Sequence, residues 1–168
     1  MASAQEQRSA RADFPMTALT RREFFHDVIV ALRGRLPAEL ASFRVAQAQH
    51  LLKIYYAQPR IHYEVWVNGR DRHIEIGLHF EDGPDSTEQL LLWLDRHILE
   101  LKHELGPETE LERWTQSWGH LYQHLPYQPL TEALAEDIGR RLARFIAVVE
   151  PLLREWRQIR ATLATARR

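Results

Sequence analysis

The sequence predicts an α+β domain in which an antiparallel meander of three or four strands is covered by helices and followed by a long, kinked C-terminal helix. Two alternating apolar and polar runs flank Asn68-Gly69, a pair that favours a β-hairpin because tight hairpin turns need positive φ. Apolar residues at helical spacing lie on both sides of these runs. A seam of apolar residues spaced by four and three extends through 138–163 and predicts the long helix.

Length and composition favour one domain. A chain of 168 residues is large enough for one hydrophobic core without cross-links. Residues 1–15 are polar and alanine-rich, so we predict a disordered leader before a single domain over 16–168. The absence of cysteine excludes disulfides and thiolate zinc sites and fits a cytoplasmic location. Asp95 and Arg96 interrupt the longest apolar run, so no membrane span is expected.

Charge is unevenly distributed along the chain. The net charge of −1 does not support nucleic acid as a partner, although it leaves that class open. Residues 81–112 carry a balance of −8, and residues 139–168 carry +6. The two segments are expected to pack near each other and partly neutralise. Alternatively, the basic C-terminal helix contacts an acidic partner.

The first elements follow from capping and spacing. Thr20 and Glu23 form a capping-box pattern, which predicts a helix over 20–33 that Gly34 closes. Residues 37–49 indicate a short helix leading into a strand, and 50–56 alternate as a strand before the hairpin.

The hairpin divides its residues between two faces. With Val67 opposite Arg70, one face is apolar and forms core. The other face places His62 opposite Glu75 and Glu64 opposite His73. The apolar set is Ile61, Tyr63, Val65, Ile74, Ile76, Leu78 and Phe80.

The second half predicts two helices and one further strand. Asp85 and Ser86 favour the start of a helix that reaches about Glu104. Residues 111–125 alternate as a fourth strand. The last helix contains Pro151, which predicts a kink near 147–150 or two consecutive helices. Its apolar seam is expected to cover this chain's own core; the alternative is a homodimer through 138–163.

The polar face of the hairpin carries the candidate metal ligands, since imidazole and carboxylate are ordinary ligands of divalent metals. A solvated sheet face is the simpler interpretation. The candidates are His62, Glu64, His73 and Glu75.

The same face carries a candidate binding surface. Trp66 lies among charges, and further aromatic residues and arginines near it would form a stacking and cationic platform. Alternatively, a helix or the N-terminal segment covers Trp66. The candidate binding residues are Trp66, Arg70, Arg72, His79 and Trp118.

Segment 99–114, with Glu104-Leu105-Gly106 and the Glu-Leu-Glu-Arg-Trp stretch at 110–114, resembles an uncharacterised bacterial domain found beside restriction-type defence genes. A nuclease core of Asp followed by Glu-x-Lys is not matched, because the stretches 64–66 and 75–77 lack lysine. The resemblance therefore implies an accessory role without catalysis.

These observations favour a cytoplasmic accessory or interaction protein that uses the polar sheet face or the basic last helix, with no cofactor. The alternative is a metal-dependent hydrolase that holds a divalent metal on the hairpin. The sequence does not decide whether the chain is an enzyme.

Overall fold

The computed structural model describes residues 18–166. The elements in order are α1 (Arg21–Arg33), a 3-10 turn (Ala38–Leu40), β1 (Arg44–Gln47), β2 (Leu51–Tyr55), β3 (Ile61–Asn68), β4 (His73–Phe80), α2 (Pro84–Arg96), α3 (Ile98–Leu105), β5 (Glu110–Arg113), β6 (Gly119–Pro126) and α4 (Glu132–Ala166). The α+β class is confirmed. The predicted leader over 1–15 lies outside the described residues.

The sheet has six antiparallel strands in the order β1-β2-β3-β4-β6-β5. The predicted strand number of three or four is wrong, because segment 111–125 forms a hairpin of two strands and segment 37–49 contributes β1. The first four strands form the expected meander. The chain then passes through α2 and α3 and returns with β6 beside β4, so β4 pairs along its whole length on both sides.

The predicted faces of the hairpin are confirmed, but its cross-strand pairs are wrong. Asn68 pairs with His73, so the loop has four residues instead of the predicted two. The Asn68 side chain bonds to Asp71 through its amide and its carbonyl, and Arg72 takes up the positive φ of 56°. Because the register differs by an even number of residues, each side chain keeps its face.

Helix predictions are confirmed with two corrections. Thr20 and Glu23 form the capping box of α1, and Thr131 caps α4 through the backbone N–H of Leu134. The helix expected to reach Glu104 is interrupted at His97 and forms α2 and α3. α4 continues through Pro151, so two consecutive helices are excluded, while a kink stays a prediction.

One hydrophobic core joins the helices to one face of the sheet. α1 packs against α4, and the alternate residues Ile61, Tyr63, Val65, Ile74, Ile76, Leu78 and Phe80 are at most 4% exposed. The α4 seam is buried in this core as far as Trp156, whereas Ile159 and Leu163 remain exposed. The seam thus covers this chain's own core along most of its length.

Among the helices of residues 18–166, none combines the length and the apolar character that a membrane span requires.

Candidate metal and ligand site on the polar face of the sheet

The face of the sheet opposite α1 and α4 is polar but mostly closed to solvent. Its histidines and glutamates on β3, β4 and β6 are between 1% and 6% exposed, and they are His62, Glu64, Glu75, His79 and His120. The expected solvated face is therefore wrong for the centre of the sheet. Buried polar groups of this kind must find hydrogen-bond or charge partners within the protein.

The loop between β5 and β6 covers part of this face with tryptophan. The Trp114 ring stacks on His120 with centroids 5.4 Å apart and lies 6.2 Å from Trp66 and 6.1 Å from Trp118. Within the described residues the β5–β6 loop, and not a helix, lies against Trp66, while the predicted cover by the N-terminal segment falls on residues outside the described range. Trp114 and Trp118 remain 50% and 43% exposed.

Glu75 is the centre of the polar face. Its Oε1 lies 2.7 Å from Nε2 of His79 and 3.1 Å from Nδ1 of His120, and its Oε2 lies 2.8 Å from Nε2 of His124. Strand pairing explains this arrangement, because Glu75 faces His124 and His79 faces His120 across β4 and β6. One carboxylate therefore has imidazole partners on both of its oxygens.

The pKa shifts in this group follow from burial and hydrogen bonding. Burial opposes the charge of Glu75, but hydrogen bonds from His120, His79 and His124 and the charge of His79 outweigh it and lower the pKa of Glu75. Burial likewise opposes the charge of His79, yet the bond to Glu75 and the neighbouring carboxylates raise its pKa. The pair therefore favours a carboxylate beside an imidazolium.

A second group surrounds Glu64. Nδ1 of His62 lies 2.8 Å from the carbonyl oxygen of Pro59 and must donate to it, while Nε2 of His62 lies 3.2 Å from Oε2 of Glu64. With Nδ1 as the donor, Nε2 can offer its lone pair to a cation that lies between the ring and the carboxylate. Lys53 is 3.9 Å from Glu64 and 3.7 Å from Glu81. These contacts are ion pairs, but they are too long for hydrogen bonds.

His73 differs from the other imidazoles. Its ring stacks on His124 at 4.1 Å and meets the edge of Trp66 at 5.7 Å. Its Nε2 is buried and has no hydrogen-bond partner within the described residues. An unsatisfied buried nitrogen is costly, which makes this atom a candidate ligand for a group that the protein itself does not supply.

Above Glu64 and His79 lies an open cleft of about 470 Å³. Tryptophan side chains form walls, and acidic side chains and Lys53 contribute its polar surface. The lining residues that matter here are Lys53, Glu64, Trp66, His79, Glu81, Trp114 and Trp118. Apolar walls with a few convergent polar groups are typical of ligand sites.

The structure separates the predicted metal ligands into two groups. His62 lies with Glu64 and His73 lies near Glu75, but the four do not converge, and the predicted pairs His62–Glu75 and Glu64–His73 are wrong. Three overlapping sets instead bring one ligand atom each to within 4.8 Å: His62, His79 and Glu81; His73, Glu75 and His124; and Glu75, His79 and His120.

The predicted binding residues are only partly gathered. Trp66, His79 and Trp118 line the cleft. Arg70 and Arg72 lie in the β3–β4 loop and are not among its lining residues, and the Arg72 guanidinium lies over the ring of Tyr127. The cleft therefore gathers the predicted tryptophans without Arg70 or Arg72 in its lining.

Sequence reasoning missed His120 and His124 as site residues. Their signal was the alternation of Trp118, His120, Tyr122 and His124 at period two, which predicts a strand with these side chains on one face. The alternation does not predict which strand will lie beside β6 in the sheet. Only the return of β6 beside β4 brings both imidazoles to Glu75.

Comparison with protein-family models, with curated proteins and with solved structures finds no match to this chain. The resemblance to a defence-associated bacterial domain therefore stays a prediction.

Proposed function

We propose that this chain is a non-catalytic interaction protein that binds a cationic group of a protein partner in the tryptophan-walled cleft. The observation that carries this proposal is the position of half-exposed Trp114 and Trp118 beside Glu64 and Glu81. Indole faces attract ammonium and guanidinium groups, and exposed tryptophan is typical of interaction surfaces. We further propose that this binding takes place in the bacterial cytoplasm.

The carboxylates of the cleft have capacity for a further donor. Glu64 and Glu81 face Lys53 at 3.9 and 3.7 Å, distances that leave acceptor lone pairs unused. An arginine or lysine side chain of a partner could donate to them while its charge lies against an indole ring. Specificity would then come from the combination of charge and flat apolar surface.

Internal ion pairs favour the sheet face over the basic helix as the binding surface. Arg144 bonds to Glu104 of α3, and Arg157 bonds to the buried Glu150. Arg140 and Arg141 both pair with Asp137. These pairs occupy arginines that an acidic partner would need. The Arg144–Glu104 pair also agrees with the expected neutralisation between the acidic middle and the basic end.

The hydrogen bonds of Glu75 favour binding over catalysis. A general base needs a free carboxylate within reach of the proton that it removes, but three imidazoles already occupy Glu75. In this arrangement the Glu75 carboxylate is not free to activate water.

The test is an NMR titration of the full-length protein with blocked single amino acids. N-acetyl-arginine methylamide and N-acetyl-lysine methylamide should shift the indole N–H signals of Trp114 and Trp118, and N-acetyl-glutamate methylamide should not. Trp118→Ala should abolish the shift of Trp114, while Leu163→Ala at the end of α4 serves as the matched control. Absence of shifts with both cationic probes contradicts the proposal.

A metal-dependent hydrolase is the second candidate. It is favoured by the set of Glu75, His79 and His120, because two imidazoles and one carboxylate form a ligand set of catalytic zinc sites that leaves one position open for water. Isothermal titration of chelator-treated protein with Zn²⁺ and Mn²⁺ tests it. Absence of micromolar binding removes this candidate and leaves the interaction role standing.

A further inference from the structure

The two oxygens of Glu75 serve two different groups of imidazoles. Oε1 faces Nε2 of His79 at 2.7 Å and Nδ1 of His120 at 3.1 Å. Oε2 faces Nε2 of His124 at 2.8 Å. His73, whose Nε2 is buried without a partner in the described part of the chain, joins Glu75 and His124 in a set of potential ligand atoms within 4.8 Å.

We infer that Glu75 bridges two divalent transition-metal ions on the polar face of the sheet. An inner ion is held by Oε1 of Glu75, His79 and His120. An outer ion is held by Oε2 of Glu75, His124 and His73. This inference rests on the metal-binding candidate of the preceding section, and it requires neither hydrolysis nor any other reaction.

The inner position fits a metal ion with small side-chain movements. Zinc bound at about 2.0–2.1 Å in a tetrahedron places its ligand atoms about 3.3–3.4 Å apart. The Glu75–His79 and Glu75–His120 contacts, at 2.7 and 3.1 Å, need to widen only slightly. For the outer set, the ligand atoms lie within 4.8 Å of one another, and the stacked rings of His73 and His124 must turn so that a nitrogen of each points at the same ion.

A further carboxylate supports the inner position. Nε2 of His120 lies 3.6 Å from Oε2 of Glu112, and Glu112 in turn accepts a hydrogen bond from the hydroxyl of Tyr122 at 3.1 Å. Metal-ligating histidines commonly direct their second nitrogen at a carboxylate, which fixes the ring and its tautomer. His120 would coordinate through Nδ1 and be oriented through Nε2.

The charge of the face favours divalent cations. Its carboxylates are Glu64, Glu75, Glu81 and Glu112, and Lys53 is the permanent cation that contacts two of them. Glu64 and Glu75 are 4% and 3% exposed, and buried carboxylates need compensating positive charge. Two divalent ions bound among these side chains would supply that charge.

The ligand types define the class of ion. Imidazole and carboxylate without thiolate suit Zn²⁺ and similar first-row ions, whereas Mg²⁺ and Ca²⁺ prefer oxygen ligands. His124 is 46% exposed in its side chain, so the outer position is open to solvent and to a further ligand. The inner position lies among side chains that are at most 7% exposed.

The test is the metal stoichiometry of the full-length, chelator-treated protein. After equilibrium dialysis against Zn²⁺, metal analysis should give two ions per chain, and the same dialysis against Mg²⁺ should give none. His120→Ala and His124→Ala should each retain one ion. Glu75→Gln should weaken both sites at least tenfold. His26→Ala, on the exposed side of α1, is the matched control and should retain two ions.

The possible outcomes separate this inference from the candidate on which it rests. Two ions that are lost singly in the His120 and His124 variants support the bridge. One ion per chain overturns the bridge but leaves a mononuclear site, and no bound ion overturns both. Far-UV circular dichroism checks the fold of each variant. If Glu75→Gln does not fold, the partly exposed His124→Ala decides by itself, because retention of two ions there also overturns the bridge.

Discussion

Nε2 of His79 lies 2.7 Å from Oε1 of Glu75, and both side chains are only 4% exposed. Glu64, Glu81, His62 and His120 also surround His79. A charged pair in such a place is stable only while both partners keep their protonation states. The stability of the metal-free protein is therefore linked to pH through this pair.

We expect the contribution of His79 to stability to fall at alkaline pH. The pKa of His79 is raised above its ordinary 6.5, so its contribution is complete below that value and is lost as pH rises through the folded-state pKa. The pKa of Glu75 is lowered from 4.5, so its contribution is present above that value and is lost when pH falls through the folded-state pKa.

Urea unfolding of chelator-treated wild type and His79→Gln measures this effect. Glutamine preserves an N–H donor for Glu75 but carries no charge, so the difference in free energy of unfolding should be largest between pH 4.5 and 6.5. It should shrink as the pH is raised further. A difference that is constant from acidic to alkaline pH would contradict the ion pair.

Tyr63 and Glu150 make the second buried contact that can be tested. The Tyr63 hydroxyl donates to Oε2 of Glu150 at 2.9 Å, and Arg157 donates to Oε1 at 2.9 Å. Burial and the charge of Glu150 raise the pKa of Tyr63, which keeps its hydroxyl protonated as a donor. Because both Tyr63 and Glu150 are 1% exposed, water does not replace a lost bond.

Tyr63→Phe should therefore lower the free energy of unfolding by about 1–3 kcal/mol, the cost of leaving a buried acceptor with one partner fewer. Urea denaturation at neutral pH provides the measurement. Tyr55→Phe, at a half-buried position on the polar face, is the control and should change stability by less than about 0.5 kcal/mol. Equal effects of the two substitutions would show that the Tyr63 bond contributes nothing specific.

Gly77 explains how closely β4 and β6 approach each other. A Cβ atom at this position would lie 2.2 Å from the carbonyl oxygen of Leu121 and 2.6 Å from Cα of Tyr122. Both are backbone atoms, so no side-chain rotation removes the clash. Gly77→Ala should thus separate the strands that bring His120 and His124 to Glu75.

We expect Gly77→Ala to destabilise the protein by about 1–3 kcal/mol or more, the range for overpacked positions. Thermal or urea unfolding measures the loss. Gly34→Ala is the control, since its Cβ would meet nothing closer than 3.6 Å and its φ of −70° suits alanine. That substitution should be neutral or slightly stabilising. A neutral Gly77→Ala would mean that β6 is not held against β4 as described.

The two faces of the central hairpin could be predicted from sequence because side-chain alternation is local. Alternation placed Tyr63 and Ile76 in the core and His62 and Glu75 on the other face. The register could not be predicted, because it depends on the loop. Asn68 bonds to Asp71 and thereby extends the turn beyond Gly69. The Asn-Gly pair alone does not show which polar side chain of the loop will bond to Asn68, so it does not predict the longer turn.

Which residues meet at the site depends on the pairing of two strands that are far apart in the sequence. His120 and His124 approach Glu75 only because β6 returns beside β4 after two helices. No spacing within segment 119–126 encodes that neighbour. The same pairing closes the centre of the polar face, since Trp114 of the β5–β6 loop stacks on His120. An alternating strand considered alone predicts a solvated face.

The C-terminal end of α4 gives the last prediction, which concerns self-association. Ile159 and Leu163 are 41% and 53% exposed, and Leu92 of α2 is 56% exposed beside them. Most of the rest of the apolar seam, as far as Trp156, is already buried within this chain, and Leu152 is partly buried. A stable interface needs about 800 Å² from each partner, and these few side chains offer little of it.

Size-exclusion chromatography with light scattering should accordingly give the monomer mass of 19.8 kDa. If the mass is doubled, the homodimer through 138–163 gains support, and Ile159→Asp with Leu163→Asp should then dissociate it. Leu99→Asp, at an 83% exposed position of α3, is the control that should leave any dimer intact. Point variants are preferable to a protein shortened after residue 150. Such a protein would lack Leu153 and Trp156, which belong to the core, so the loss of a dimer could not be distinguished from the loss of the fold.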